Sequence, residues 1–148
     1  MWIGVVIVCA ALALWWWLQP ERQVRRAQTR LIAAIEGRDF AAFERLLADD
    51  YRDRWGHDKA NVISLTQEVF QQFLFVTVVR EEKGLDSRGA EWVLREKIKL
   101  TGTGGPLATY AKDELNRLTQ PFEITWRRTG GPTQWSITNV EQPELALP

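Results

Sequence analysis

The chain has 148 residues, enough for one domain of ordinary size, and it carries 19 basic and 19 acidic side chains. A nucleic-acid-binding surface needs a basic excess, so the balanced charge predicts no nucleic-acid partner. Cys9 is the single cysteine and His57 the single histidine. One residue of each type excludes an internal disulfide and argues against a Cys/His zinc site.

An uncharged apolar run, WIGVVIVCAALALWWWL, occupies residues 2–18. A helix of that length spans about 26 Å, at the short end of what a hydrocarbon core of roughly 30 Å requires. Indole rings favour the headgroup level of a bilayer, because the ring is apolar while its N–H needs a partner. Tryptophans lie at both ends of the run: Trp2, Trp15, Trp16 and Trp17. The sequence therefore predicts a transmembrane anchor at 1–19 that contacts lipid through residues 2–18.

A cleaved signal peptide is the alternative, since Ala11-Leu12-Ala13 resembles a cleavage site. No basic residue precedes the apolar run, however, and cleavage there would leave LWWWL exposed at a new terminus, so we expect an uncleaved, single-pass protein of a bacterial inner membrane. Five arginines follow the run closely and none precedes it, which favours a cytoplasmic C-terminal domain. They are Arg22, Arg25, Arg26, Arg30 and Arg38. The alternative orientation is a C-terminal domain that faces outward. These arginines could also contact anionic lipid headgroups beside the anchor.

The next segments have helical periodicity. Apolar residues at helical spacing predict a first helix over 21–36, with Gly37 as a left-handed C-cap. Asp39 is a suitable N-cap for a short second helix, and Asp58 for a third that ends near residue 72.

The pattern then changes to that of strands. Residues 73–79, FLFVTVV, predict a strand and EEKGLDSRG (81–89) a turn. The following strand alternates, with Leu94, Glu96 and Ile98 on one face. Pro106 fits the first turn of a fourth helix over 106–118, and residues 121–143 read as a hairpin with its turn at 130–132. Helices followed by antiparallel strands indicate an α+β domain.

Two stretches resemble the nuclear transport factor 2-like (SnoaL-like, cystatin-like) superfamily. EGRDFAAFERLLADDYRDRW (36–55) is similar to the turn after the first helix and to the second helix of that superfamily, and WRRTGGPTQWSITNVEQ (126–142) to its last two strands. The resemblance covers residues 21–143, approximately. It implies a cone-shaped domain in which helices pack on a curved antiparallel sheet, and we place this domain at residues 20–148. The helix at 106–118 departs from the simplest plan of the superfamily and would cover a sheet edge or the cone mouth.

The resemblance also implies where chemistry would lie, because acid–base enzymes of this superfamily place such groups deep in the cone. Glu96 is the candidate catalytic residue: a carboxylate between apolar neighbours has a raised pKa and suits a general base. The alternative is an ion pair with an arginine such as Arg128. Candidate ligand-binding residues are Tyr51, Trp55, Tyr110, Trp126 and Arg128, although aromatic residues at these spacings also suit a core. His57 reads as a surface residue in a polar loop.

No nucleophile elbow, phosphate-binding loop or metal-ligand spacing occurs in the sequence, so we predict no metal and no cofactor. The superfamily includes isomerases, dehydratases, hydrolases, transport adaptors and secretion-machine subunits, so the fold does not choose the function. We expect a membrane-anchored domain that binds a protein partner or a second copy of itself, or acts in envelope assembly. The alternatives are a tethered isomerase or dehydratase and a binder of apolar ligands.

Overall fold

Two helices that meet at a sharp bend open the chain in the computed structural model, which describes residues 2–147. Helix α1 (Trp2–Trp17) has no charged residue, and none of its side chains is buried. Helix α2 (Pro20–Glu36) begins at a proline, which suits a first helical turn because its missing N–H would have no partner there. The two axes differ by 60°. Within residues 2–147 no single helix has the length and apolarity of a membrane span, whereas α1 and α2 together pass that test as a bent pair.

The end of α2 differs from the prediction. Gly37 has an ordinary right-handed conformation (φ −81°), and Arg38 takes the left-handed one (φ 54°). The expectation for Gly37 was therefore wrong by one residue. The Arg38 side chain donates hydrogen bonds to the backbone oxygens of Phe73 and Leu74 (3.0 Å to Leu74), contacts that hold this uncommon backbone geometry.

Two further helices have the predicted caps. Helix α3 (Phe40–Arg45) begins after Asp39, whose carboxylate accepts the backbone N–H of Ala42 at 3.0 Å. Helix α4 (Lys59–Phe70) begins after Asp58, which forms a capping box with Asn61. Side-chain acceptors at these positions satisfy N–H groups that have no partner within the helix.

Four strands form one antiparallel sheet in chain order, β1 (Phe73–Arg88), β2 (Glu91–Gly104), β3 (Phe122–Arg128) and β4 (Trp135–Glu141). The inner face predicted for β2 is found, since Leu94 and Glu96 are buried toward the helices, but Val93 on the predicted outer face is buried as well. The α+β architecture, with helices on a curved four-stranded sheet, is as expected.

The turn predicted at 81–89 is wrong, because β1 continues to Arg88 and the chain reverses at Gly89 (φ 63°). The segment is polar because it lies at a sheet edge, where side chains face water. Charged contacts with β2 hold it, including the ion pair of Asp86 with Arg95 (2.6 Å). A bulge between Glu82 and Gly84 absorbs one residue and keeps the register.

On its β3 side, strand β2 is paired only over residues 91–96, so the rest of that edge has no strand partner. Helix α5 (Pro106–Arg117) covers part of this unpaired edge. Asn116 takes the place of a strand residue: its amide accepts the backbone N–H of Leu100 and donates to the same residue's oxygen, both at 2.8 Å. Lys112 donates to the oxygen of Gly102 at 3.2 Å. The helix that departs from the simplest superfamily plan thus protects a sheet edge.

The main core lies between α2, α3 and the inner face of the sheet. Trp126 and Leu94 at its centre have no exposed surface, and Tyr51 is also enclosed. Other members come from α2, α3, β3 and β4 and from the segment just after α3, which contributes Leu47: Val24, Ala27, Leu31, Phe43, Leu47, Ile124, Trp135 and Ile137. Packed side chains therefore occupy the space between these helices and the sheet.

Candidate functional site

The inner face of β2 carries a buried carboxylate, Glu96, which is 3% exposed. Gln28 of α2 donates its side-chain N–H to Oε2 of Glu96 at 2.8 Å, and Arg80 of β1 donates to Oε1 at 3.1 Å. Arg80 also reaches Oγ1 of Thr29 at 3.3 Å, which ties its guanidinium to α2. Both carboxylate oxygens of Glu96 are therefore engaged.

The prediction that an arginine neutralises Glu96 is correct in kind, but Arg128 was the wrong residue. Arg128 lies at the exposed end of β3, with its guanidinium 5.0 Å from the ring centroid of Trp135. Arg80 does reach Glu96, because the continuous β1 places it beside Ile98 of β2 on the inward face. Arg80 lies just beyond the strand predicted at 73–79, so the sequence pattern did not place it beside Glu96.

The glutamate lies at the bottom of a polar cleft of about 340 Å³ between α2 and β1. Arg25 and Glu82 form a second ion pair there (2.9 Å). The cleft lining is completed by Gln28, Thr29, Arg80, Leu94 and Glu96. The cleft thus holds two guanidinium groups and two carboxyl groups, paired as Arg25 with Glu82 and Arg80 with Glu96.

Burial raises the pKa of Glu96 above its ordinary value, and this effect outweighs the opposing ones of Arg80 and the Gln28 amide. A raised pKa makes a carboxylate a stronger general base. Each oxygen of Glu96 accepts one hydrogen bond, Oε2 from Gln28 and Oε1 from Arg80. The Gln28 Oε1 atom is buried and has no hydrogen-bond partner among the described residues.

The five predicted ligand-binding residues lie in different places. Tyr51 and Trp126 belong to the core, whereas Tyr110 is 63% exposed on α5. The Trp55 indole donates to the backbone oxygen of Leu145 at 2.8 Å, and Arg128 lies on the surface as described above. The structure therefore does not gather these five side chains around a common cavity.

A second buried carboxylate, Asp53, was not predicted as part of any site. Its Oδ1 accepts the backbone N–H groups of Trp55 (3.0 Å) and His57 (2.9 Å), while Oδ2 lies 3.1 Å from His57 Nδ1 and accepts the Tyr51 hydroxyl at 3.4 Å. Burial and the adjacent Asp53 raise the pKa of the Tyr51 phenol. The Asp–His spacing of four residues within one loop was the available signal. Asp53 organises the loop before α4, because it holds backbone donors at both ends of a tight turn.

An open groove of about 500 Å³ runs along the outside of the domain between α2, α3 and the β3–β4 turn. Small side chains form much of its floor, with Arg30, Asp39 and Arg45 among the lining residues: the small ones are Ala27, Ala33, Ala34 and Ala42. Among residues 2–147 no group of three or more His, Cys, Asp or Glu side chains could hold a metal ion.

Solved structures with the same arrangement of helices and sheet share little sequence with this chain. An NTF2-like protein from Cytophaga hutchinsonii matches with a TM-score of 0.59 at 15% identity, covering 82% of this chain and 95% of the other. The chain has the nuclear transport factor 2-like fold. A proposed dehydratase of the NTF2-like family from Streptomyces avermitilis gives a TM-score of 0.60 at 16% identity, covering 81% of this chain and 92% of that one.

Bd1075 from Bdellovibrio bacteriovorus matches with a TM-score of 0.62 at 9% identity, over 81% of this chain. The chain spans only 38% of the length of that protein. No protein-family model and no curated protein sequence matches the chain. At these identities the similarity shows the fold alone, so the function has to be argued from the site.

Proposed function

We propose that the chain is a single-pass membrane protein that displays its nuclear transport factor 2-like domain as a protein-interaction module. The observation that carries this proposal is a contrast between the inside and the outside of the domain. The two buried carboxylates, Glu96 and Asp53, are each held by several hydrogen bonds, and packed side chains occupy the interior. The exterior, in contrast, presents large apolar groups.

The anchor half of the proposal depends on α1. Exposed apolar surface in water is unfavourable by about 25 cal/mol per Å², and every residue of α1 is exposed, with Trp2 at 84% and Ile3 at 76%. Insertion into lipid would cover this surface. A helix of 16 residues spans about 24 Å, and a span shorter than the hydrocarbon core is accommodated by local thinning of the bilayer.

The orientation we propose is cytoplasmic. Arginines are concentrated just after α1. Basic residues next to a span favour the cytoplasmic side. The membrane in this proposal is a bacterial inner membrane.

The interaction half depends on the outer face of β1. Phe75 is 61% exposed and Val79 is 52% exposed, and both lie on the face that points away from the helices. Glu81 on the same face is the register partner of Lys97 in β2, so apolar groups adjoin charges of both signs. A two-fold interface between identical copies needs such a self-complementary surface, and we therefore propose a second copy of the chain as the partner.

The test replaces both apolar side chains by glutamate, as Phe75→Glu together with Val79→Glu, in the full chain in detergent. We expect the native chain to sediment as a dimer and the double variant as a monomer, because two buried negative charges would oppose association. Tyr110→Glu is the matched control, since Tyr110 is an equally exposed aromatic residue on α5. A native chain that is monomeric at every concentration, or a dimer unaffected by the double substitution, would contradict the proposal.

The cleft around Glu96 favours a second candidate function, a membrane-tethered enzyme that acts on a small molecule. Its support is a buried carboxyl group with a raised pKa in a cleft of about 340 Å³, within the size range of ligand sites. One similar structure is of a proposed dehydratase. If this function is correct, Glu96→Gln abolishes turnover and leaves self-association unchanged.

A further inference from the structure

Two arginines at the start of α2 fold back onto the last indoles of α1. The guanidinium carbon of Arg22 lies 3.4 Å from the ring centroid of Trp16, and that of Arg26 lies 4.4 Å from that of Trp17. Arg26 also donates to the backbone oxygen of Trp17 at 3.1 Å. An aromatic ring thus covers one face of each guanidinium group. A guanidinium bonds hydrogen acceptors through its edge, so an aromatic ring on its face does not block its N–H donors. The Arg22 Nε atom is buried and has no hydrogen-bond partner among the described residues.

The charges of Arg22 and Arg26 differ from that of Arg25 in their ion pairing. Within residues 2–147 no carboxylate forms an ion pair with Arg22 or Arg26, whereas Arg25 between them pairs with Glu82 (2.9 Å) and Glu21 (3.7 Å). Arg22 and Arg26 are four residues apart, so they share one face of α2. The structure therefore places two uncompensated guanidinium groups next to each other.

Their position relative to α1 is fixed by the buried Gln23. Its amide donates to the backbone oxygen of Leu18 at 3.1 Å, at the end of α1, and its oxygen accepts the indole N–H of Trp135 at 2.6 Å, in the core. The bend between α1 and α2 is thereby tied to the folded domain. Arg22 and Arg26 consequently stay at the depth of Trp16 and Trp17.

We propose that Arg22 and Arg26 together bind the phosphate of an anionic lipid headgroup in the leaflet at the C-terminal end of α1. This inference rests on the proposed membrane anchor, because only insertion of α1 brings Trp16 and Trp17, which are 51% and 48% exposed, to the headgroup level. At that depth the stacked guanidinium groups meet lipid phosphates, whose oxygens match their planar donors. The site would give the anchor a second role, because it would select anionic lipids as the neighbours of α1.

The test reconstitutes the full chain in vesicles of phosphatidylcholine and phosphatidylglycerol and measures tryptophan fluorescence. Bromine on the acyl chains of one lipid at a time quenches those indoles that the lipid contacts. Four of the eight tryptophans lie in α1, and Trp126 and Trp135 are enclosed in the domain, so quenching by lipid reports chiefly on α1. An arginine near an anionic surface contributes about five-fold in binding at low salt, so brominated phosphatidylglycerol should quench more strongly at equal mole fraction.

The double variant Arg22→Gln with Arg26→Gln should lose this preference, as should the native chain at 1 M salt. The variant Arg22→Lys with Arg26→Lys keeps both charges and should keep most of the preference. Arg45→Gln with Arg54→Gln is the matched control, since both residues are exposed and lie outside α1 and α2. Equal quenching by the two brominated lipids, or a preference that the Gln variant retains, would overturn the lipid site and leave the anchor standing. Absence of quenching by either lipid would overturn both.

Discussion

Glu96 is buried beneath α2, and both of its oxygens accept hydrogen bonds. These bonds favour the charged carboxylate, but the effect of burial is larger, so the pKa of Glu96 is raised. A raised pKa in the folded protein means that the proton is bound more tightly there than in the unfolded chain. Glu96 therefore contributes stability that is fully present below its ordinary value of 4.5 and is lost as the pH rises through the folded pKa.

Glu96→Gln removes this titration while keeping an oxygen acceptor for Gln28. As the pH rises from 4.5 through the folded pKa, the native chain loses the stability that Glu96 contributes and the variant does not. We therefore expect the free energy of unfolding of the variant to increase relative to that of the native chain over this range. Urea unfolding of both chains in detergent, followed by tryptophan fluorescence between pH 4 and about 8, measures this difference. Glu44→Gln is the exposed control. A difference that is constant or that changes in the opposite direction would show that burial does not dominate at Glu96.

Trp126 and Tyr110 differ most in exposure among the aromatic residues predicted to bind a ligand, and we expect their substitutions to differ in their effect on stability. Trp126 has no exposed surface, so Trp126→Ala should cost about 3–5 kcal/mol, from lost burial and from the cavity left behind. Tyr110 is 63% exposed, and Tyr110→Ala should change stability by no more than about 0.5 kcal/mol. Thermal unfolding of the two variants measures both values. Similar losses would mean that Tyr110 is covered in solution, for instance by a partner.

At the scale of elements, capping residues and alternation were readable in the sequence, while long-range pairing was not. Asp39 and Asp58 act within three residues of their own position, and β2 shows its two faces by period alone. The polar second half of β1 has no such signal. Its strand conformation comes from pairing with β2, including contacts such as Asp86 with Arg95, which a local pattern cannot reveal.

The same limit explains the partial success at the candidate site. The sequence identified Glu96 as an inward-facing acid, because the strand period places it between Leu94 and Ile98. Its partners Gln28 and Arg80 are 68 and 16 residues away along the chain, so only the folded structure identifies them.

The pairing of Asn116 with the open side of β2 can be tested on its own. Asn116→Ala leaves the backbone N–H and C=O of Leu100 without their partner, which should cost about 1–3 kcal/mol. Asp113→Ala on the exposed side of α5 is the control and should be nearly neutral. Hydrogen exchange at Leu100 should become faster in the Asn116 variant alone. Unchanged exchange would mean that α5 is not needed to protect this edge.

For the whole molecule, the arrangement separates two kinds of surface. The domain satisfies its buried acids internally and fills its core, while α1 projects with all of its side chains exposed. The junction between them is held by Gln23 and by the stacked arginines. The proposed function uses both features: α1 would lie in lipid, and the proposed self-association through β1 would take place next to the membrane surface.

Extraction of cell membranes with alkaline carbonate tests this account most directly, because it releases peripheral proteins and retains embedded ones. The account predicts that the full chain stays in the membrane pellet, whereas a chain that begins at Pro20 is recovered in the supernatant. Release of the full chain into the supernatant together with the shortened one would contradict the central claim.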